Sequence, residues 1–302
     1  QAIQLRKTLK PSAQPQDHTL ALAELNQRWT QIKHDASLVQ GRLPSEAEKI
    51  LRERLDRVET LLEQVASNPD QGNLEVRRLD ALADLATRRG RIAYSAKERR
   101  LDEAFAFWNE ADKLYQRSSQ TASDLNQRYN ERNRGLLQFT WASGLRKSNR
   151  LEEALTQSDA YIRLCRVLLQ QQNTPTNQRD LTKGLILGFL TRRSLSKAAD
   201  QPSEITKLQG ESQLLLEEAT ELSERLHFGD LEDVRSLELW AEAHYNLALL
   251  QFDRKDYPSA GEITADLVAH VQTEHARGVQ NQRSVAILKA ARDLQRICAD
   301  RE

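Results

Sequence analysis

The sequence predicts an all-α protein, and three observations lead to this class. Only 11 Gly and 7 Pro interrupt the 302 residues, which favours long helices over many short strands. The polar residues are rich in Gln, Glu, Arg and Lys and the apolar ones in Leu and Ala, all good helix formers. Apolar residues recur at helical spacing, and no segment shows sustained alternation with a period of two. We therefore expect roughly eleven helices.

The first part of the chain reads as a tail followed by a helical hairpin. Residues 1–16 are polar and carry two prolines, which is typical of a tail or linker, and residues 17–73 form the predicted hairpin. Ser45 with Glu48 three residues later has the pattern of a capping box that starts the second helix. That helix carries a heptad seam, made of Leu51, Leu55, Val58, Leu62 and Val65. The seam is short, so ordinary hairpin packing is favoured, and a self-associating spacer built on residues 45–66 stays open.

The remaining helices continue to the C-terminus. We expect them at about 74–96, 99–115, 122–147, 149–169, 179–195, 203–227, 232–254 and 258–276. Residues 277–302 are expected to hold a capping helix with one polar face. Its apolar positions are Val285, Leu288, Ala291, Leu294 and Ile297.

A weak repeat links several of these hairpins. Segments ending in a small residue at Ala104, Ala154 and Ala260 begin the second helix of each pair. The pairs Trp141–Ala142 and Leu247–Ala248 place another small residue twelve positions before Ala154 and Ala260, and Leu187–Gly188 takes the same place in a third hairpin. Small residues at these points allow close approach of the two helices, so the pattern predicts stacked hairpins.

The stretch "AEAHYNLALLQFDRKDYPSA", residues 241–260, resembles the tetratricopeptide repeat family. Leu247, Ala248, Tyr257 and Ala260 stand at that family's offsets, whereas His244 replaces the usual Trp. The likeness covers residues 74–276. It implies a right-handed superhelix of stacked antiparallel hairpins, an α-solenoid. Long hairpins of this kind also resemble the helical-repeat regions of bacterial multidomain signalling proteins such as Ser/Thr kinase tails, so we expect a cytoplasmic chain that is part of a larger protein.

The resemblance implies a concave wall built from first-helix positions. These are Phe139, Ser143, Leu185, Phe189, Tyr245, Asn246 and Leu249. Tyr245 and Asn246 are the preferred binding residues, because an Asn amide can hydrogen-bond an extended peptide backbone. The alternative for the apolar members is ordinary packing between hairpins.

Basic pairs recur where the first helices end. They are Arg146–Lys147, Arg192–Arg193 and Arg254–Lys255. Compensation of the helix dipole is one explanation for them. The other is a stripe that holds an acidic or phosphorylated peptide by charge-assisted hydrogen bonds.

Several function classes lack a signal. The chain has no nucleotide-binding glycine motif. His270 and His275 are five residues apart, so they do not share one helix face as a pair of zinc ligands must. No catalytic residue, metal or cofactor is therefore predicted. The balance of 44 basic and 44 acidic residues argues against nucleic acid as a partner. The apolar run 184–190 is far below the roughly 20 residues of a membrane span. Cys165 and Cys298 form no disulfide framework, which favours a reducing compartment.

These observations predict a non-enzymatic scaffold that binds a protein or peptide partner, possibly an acidic one. Two alternatives remain open at this point. One is a regulatory superhelix that responds to a ligand, and the other is an all-α enzyme with a buried site. The oligomeric state is not predicted.

Overall fold

The computed structural model describes residues 15–39, 41–65, 72–122 and 124–301. Within these ranges the chain is helical, apart from turns and two isolated β-bridges, Val39–Arg42 and Leu43–Ala96. The described helices are α1 Pro15–Ser37, α2 Ser45–Glu63, α3 Gly72–Ser95, α4 Leu101–Thr121, α5 Asp124–Lys147, α6 Leu151–Gln171, α7 Pro175–Ala198, α8 Pro202–Gly229, α9 Val234–Asp253, α10 Tyr257–Ala276 and α11 Gln282–Ala299. The all-α prediction is confirmed. The predicted tail lies mostly outside the described residues, and its last two residues begin α1.

The chain divides into two compact units, Gln1–Trp141 and Ala142–Glu302. The boundary falls inside α5 and inside the predicted repeat region 74–276. In the first unit α1 packs on α2 and α3, α2 packs on α3, and α3 packs on α4. The predicted seam of α2 supplies much of this core, since Leu51, Leu55, Val58 and Leu62 are all buried.

The predicted capping box at the start of α2 is wrong. Pro44 is the N-cap of this helix, and no side chain caps it, so Ser45 is already inside the first turn. The carboxylate of Glu48 instead pairs with the guanidinium groups of Arg52 and Arg100. Ion pairs with Arg52 of the same helix and with Arg100, the residue before α4, have therefore replaced the local bond that the sequence pattern suggested.

In the second unit each helix from α6 to α11 packs on the next. In addition α9 contacts both α7 and α11, its second neighbours along the chain. Connections of three to five residues join these helices, and such short connections bring consecutive helices back antiparallel. This unit is therefore a stack of hairpins, in which α9 lies against the first helix of the hairpin before it and against the helix that follows its own hairpin.

Two hairpin turns have the same backbone geometry. Asn149 after α5 and Lys255 after α9 both adopt positive φ, 59° and 64°, and each stands five residues before the small residue of the next helix. The following N–H donates to a helix carbonyl in each case, Arg150 to Leu145 at 2.9 Å and Asp256 to Gln251 at 3.0 Å. A left-handed residue closed by such a bond is a common way to end a helix. The repeat seen in the sequence is thus matched by a repeat of the turn.

The small residues of the repeat have the packing role that their spacing predicts. They are fully buried at every aligned position, namely Ala104, Ala142, Ala154, Ala248 and Ala260. Gly188 is buried as well, against the side chain of Ile162. These positions therefore let neighbouring helices approach closely.

The apolar face of the last helix differs from the predicted one. Leu288, Ala291 and Leu294 are buried as expected, but the next buried residue is Cys298 rather than Ile297, and Val285 is exposed. A run of steps of three drifts by about 60° at each step in a helix with 3.6 residues per turn. The ends of the predicted stripe therefore turn towards solvent.

Candidate binding cleft

The structure places the predicted wall residues at different depths. Leu185 and Phe189 are fully buried, and Phe189 packs in a core cluster with Leu216 and Leu250. Their burial fits the alternative that the sequence left open, which is ordinary packing between hairpins. Four of the other wall residues are half-buried, namely Phe139, Ser143, Tyr245 and Leu249.

Asn246, one of the two preferred binding residues, is turned into its own helix. It is only 3% exposed, and its Nδ2 donates to the Glu242 carbonyl at 2.7 Å. This bond occupies the amide within α9, which leaves Tyr245 and Leu249 as the accessible part of this stretch. They share one packing cluster.

The predicted basic stripe contains arginines that are already bound by carboxylates. Arg192 donates to Asp159 at 2.9 and 3.1 Å and to Glu211 at 3.0 Å. Arg193 makes a two-pronged bond to Asp253, which also accepts from Lys197. These pairs tie α7 to α6, α8 and α9. Of the other predicted cations, Arg146 is half-buried and Lys147 is exposed.

A polar cleft lies in the first unit, and none of the predicted wall residues lines it. Its volume is about 740 Å³, within the range of ligand-binding pockets. Three helices line it: α1 through Glu24, Gln27 and Arg28, α3 through Asn73, Val76, Arg77, Asp80, Ala81, Asp84 and Arg88, and α5 through Tyr129 and Asn133. The cleft is thus mostly polar, with three acidic and three basic side chains.

Two carboxyl groups of α3 enter the cleft from one face of the helix. Asp80 and Asp84 are four residues apart, and neighbours at that spacing lie on the same side. Hydroxyl groups of α4 hold both: Ser118 Oγ donates to Asp80 at 2.6 Å, and Tyr115 Oη donates to Asp84 at 2.6 Å. Asn130 of α5 donates to Ser118 Oγ at 2.8 Å and so supports the first contact.

The two acidic groups differ in how their charge is neutralised. The Arg88 guanidinium lies 3.5 Å from Asp84, and Arg77 holds Glu24 and Asp17, each at 3.1 Å. Asp80 has no ion-pair partner within the described part of the chain. Burial, reinforced by the charges of Asp84 and Glu24, raises the pKa of Asp80 to about 6 despite the Ser118 hydrogen bond. Its carboxyl can therefore exchange a proton near neutral pH.

The sequence did not single out this carboxyl pair. Carboxylates are frequent along the chain and alternate with basic residues, so they read as solvated helix faces. One signal was present in "LDALADLA", residues 79–86, where two Asp interrupt a run that is otherwise Leu and Ala. Acidic residues on an apolar stretch indicate groups that lie beside the core.

A second polar cluster lies in the second unit and consists of histidines beside an aromatic residue. The Nε2 atoms of His227 and His270 are 2.7 Å apart, so one ring donates to the other. Trp240 packs against His244 and His270, with ring centroids 4.2 and 4.4 Å away. Burial lowers the pKa of all three histidines, and for His227 the neighbouring His270 adds to the effect. The sequence could not reveal this cluster, because its members lie on three different helices.

No group of three or more His, Cys, Asp or Glu side chains among the described residues is arranged to hold a metal ion. None of the helices within the described ranges combines the length and the apolar character that crossing a membrane requires. Comparison with known proteins adds no relative, since no family model matches the chain and no curated protein matches it.

Proposed function

We propose that the chain is a non-enzymatic helical scaffold that binds a segment of a partner protein in the cleft of its first unit. The observation that carries this proposal is the cleft itself, with a volume of about 740 Å³ and polar groups supplied by three helices. Dispersed polar groups of both signs suit an extended polypeptide, which offers backbone donors and acceptors along its length.

The stacked hairpins of the second unit support a role in recognition rather than transport through a membrane or storage. Helical hairpin arrays present broad surfaces, and the likeness to tetratricopeptide repeats favours the same kind of role. We further propose that the chain works within a larger bacterial signalling protein in the cytoplasm. This part of the proposal rests on the resemblance of its long hairpins to kinase-associated repeat regions.

A selection from a random peptide library on the purified chain tests the proposal. Selected peptides should bind, and Asn133→Trp should weaken them at least tenfold, because the indole would fill the cleft from α5. Gln272→Trp is the matched control, since Gln272 is exposed on α10 and outside the cleft. Fluorescence anisotropy with labelled peptides measures the peptide affinity of both variants.

A third variant separates the cleft from the surface that the sequence favoured. Tyr245→Ala removes the accessible aromatic ring of that surface, so it should leave binding unchanged if the cleft is the site. Loss of binding in a folded Tyr245→Ala protein, together with full binding by Asn133→Trp, would move the site to α9. Failure to select any peptide would overturn the proposed function.

A further inference from the structure

The cleft of the first unit has more hydrogen-bond acceptors than donors around Asp80. Asp80 accepts side-chain hydrogen bonds from Ser118 Oγ at 2.6 Å and from Asn130, and no cation of the described residues pairs with it. Two donors leave acceptor positions of a carboxylate unfilled, since it has about four. The remaining positions of this carboxylate are therefore open to a further donor.

Gln27 supplies an independent observation on the opposite wall. Its side chain lines the cleft from α1 although the residue is only 1% exposed. Its Nε2 donates to the carbonyl of Ala81, the residue after Asp80, at 2.6 Å. No donor among the residues described here reaches the other amide atom, Oε1. This acceptor can therefore take a hydrogen bond from a ligand that donates.

Asn130, which bonds the same Ser118, has a similar imbalance. It is fully buried, its Nδ2 is used on Ser118, and its Oδ1 has no hydrogen-bond partner. Asn130 also hydrogen-bonds Asp80 itself. Asp80 and Gln27 therefore leave acceptors without a protein donor at one point of the cleft lining, where Gln27 bonds the residue that follows Asp80.

We propose that this point binds the cationic side chain of an arginine or lysine carried by the partner segment. The inference rests on the proposed function and specifies the chemistry of the partner. A guanidinium presents five donors and an ammonium three, and either would match the open acceptors of Asp80 and Gln27 while neutralising the Asp80 charge. The partner therefore differs from the acidic one that the basic pairs of the sequence suggested.

The other residues that line the cleft indicate that the cationic group belongs to a polypeptide rather than to a free small cation. The volume of about 740 Å³ exceeds what one side chain occupies, so backbone on either side has room. Tyr129 lines the cleft and is 61% exposed, which leaves its ring face available for stacking on a guanidinium. Arg28, also exposed at the cleft, can meet an acidic residue or carbonyl of the same segment.

The test compares peptides that differ only in one charge. A capped peptide with a central arginine, taken from the library selection, is measured by calorimetry beside its citrulline and lysine forms, with spermidine as a free-cation probe. Citrulline keeps the shape of arginine but removes its charge. Arginine should bind at least tenfold more tightly than citrulline, with lysine between them, and spermidine should bind weakly.

Asp80→Asn and Asp266→Asn are the matched protein variants. Asp266 is exposed on α10, so its change removes the same charge without touching the cleft. Asp80→Asn should abolish the preference for arginine over citrulline, whereas Asp266→Asn should keep it. Asp80→Asn is not expected to unfold the protein, so the helical content of this variant by circular dichroism should equal that of the wild type.

Each outcome separates the two proposals. Selected peptides that bind in the cleft with no preference for arginine, or that bind Asp80→Asn unchanged, would overturn this inference and leave the scaffold function standing. Spermidine binding as tightly as the arginine peptide would replace the polypeptide with a free polyamine as the ligand. Peptides that bind the Asn133→Trp variant as tightly as the wild type would overturn both proposals.

Discussion

At the scale of single residues, the most sensitive groups are buried histidines that meet only in the folded chain. His227 is fully buried, and its Nε2 faces the Nε2 of His270 at 2.7 Å. Only one proton fits between these atoms, and a second would place two cations in contact inside the helix stack. The folded state therefore prefers a neutral pair, in agreement with the lowered pKa of both rings.

We expect the contribution of these histidines to stability to fall as the pH drops below about 6.5, the usual histidine pKa in an unfolded chain. Below that pH the unfolded chain binds protons that the folded chain does not bind. The stabilisation by the neutral histidines is therefore complete above that pH, and it is lost as the pH falls towards the lowered pKa of these rings in the folded state. The slope is about 1.4 kcal/mol per pH unit for each proton. Urea unfolding between pH 5 and 8 measures it.

Two histidine variants show which rings cause this slope. His270→Gln should reduce it, because glutamine can still hydrogen-bond His227 but does not titrate. His18→Gln should leave it unchanged, since His18 is exposed on α1. An equal slope in both variants and the wild type would mean that the buried pair has no part in the pH dependence.

Residue roles are the level at which the sequence was least informative. It proposed Leu185, Phe189 and Asn246 for a groove from their place in a pattern, and the structure buries all three. Spacing along a helix tells which residues share a face, but not whether a neighbouring helix covers that face. Asp80 and Gln27 come from different helices, so no local pattern could have paired them.

At the scale of helices, the sequence predicted far more. Helix number and type followed from composition and periodicity, and the buried alanines followed from the repeat spacing, because both are local properties of the chain. The errors arose where a distant residue competed with a local signal. Glu48 pairs with Arg100 instead of closing a capping box, and Val285 drifts off the face of α11.

Three glycines inside helices allow the closeness of packing to be measured. At Gly90 of α3, an added Cβ would lie 2.3 Å from Trp108 Nε1 and 3.0 Å from the Ala104 carbonyl oxygen. At Gly188 of α7, it would meet the ends of three side chains, Ile162, Leu215 and Arg192, at 2.8, 3.0 and 3.7 Å. At Gly210 of α8, it would meet nothing within 4 Å.

Alanine should therefore have opposite effects at the two extremes. Gly210→Ala should stabilise by up to about 1 kcal/mol, because alanine is the better helix former. Gly90→Ala should destabilise by about 1–3 kcal/mol, because Trp108 is fully buried and has no space to move. Gly188→Ala should fall between them, since side-chain ends can shift. Chemical denaturation of the three variants gives the order, and a stabilised Gly90→Ala would contradict the close contact of α3 and α4.

At the scale of the whole molecule, the charges are balanced and largely used internally. The chain has 44 basic and 44 acidic residues, and many arginines bind carboxylates of another helix, as Arg179 does with Asp233 and Arg283 with Glu238 and Glu242. Pairs of this kind at the protein surface contribute little each to stability where solvent reaches them. Their larger effect is on binding, because a guanidinium that already holds a carboxylate is less available to a phosphate.

This distribution predicts weak binding to polyanions. At about 0.15 M salt, a labelled DNA duplex should bind no more tightly than the 10⁻⁴ to 10⁻⁶ M range of non-specific association. Asp253→Asn should raise heparin retention more than Asp266→Asn does, although both remove one negative charge. The first change releases Arg193 and Lys197, whereas Asp266 forms no ion pair with the part of the chain that the structure describes. Equal retention of the two variants would mean that net charge alone governs polyanion binding, and submicromolar DNA binding by the wild type would mean that the internal pairs do not shield these cations.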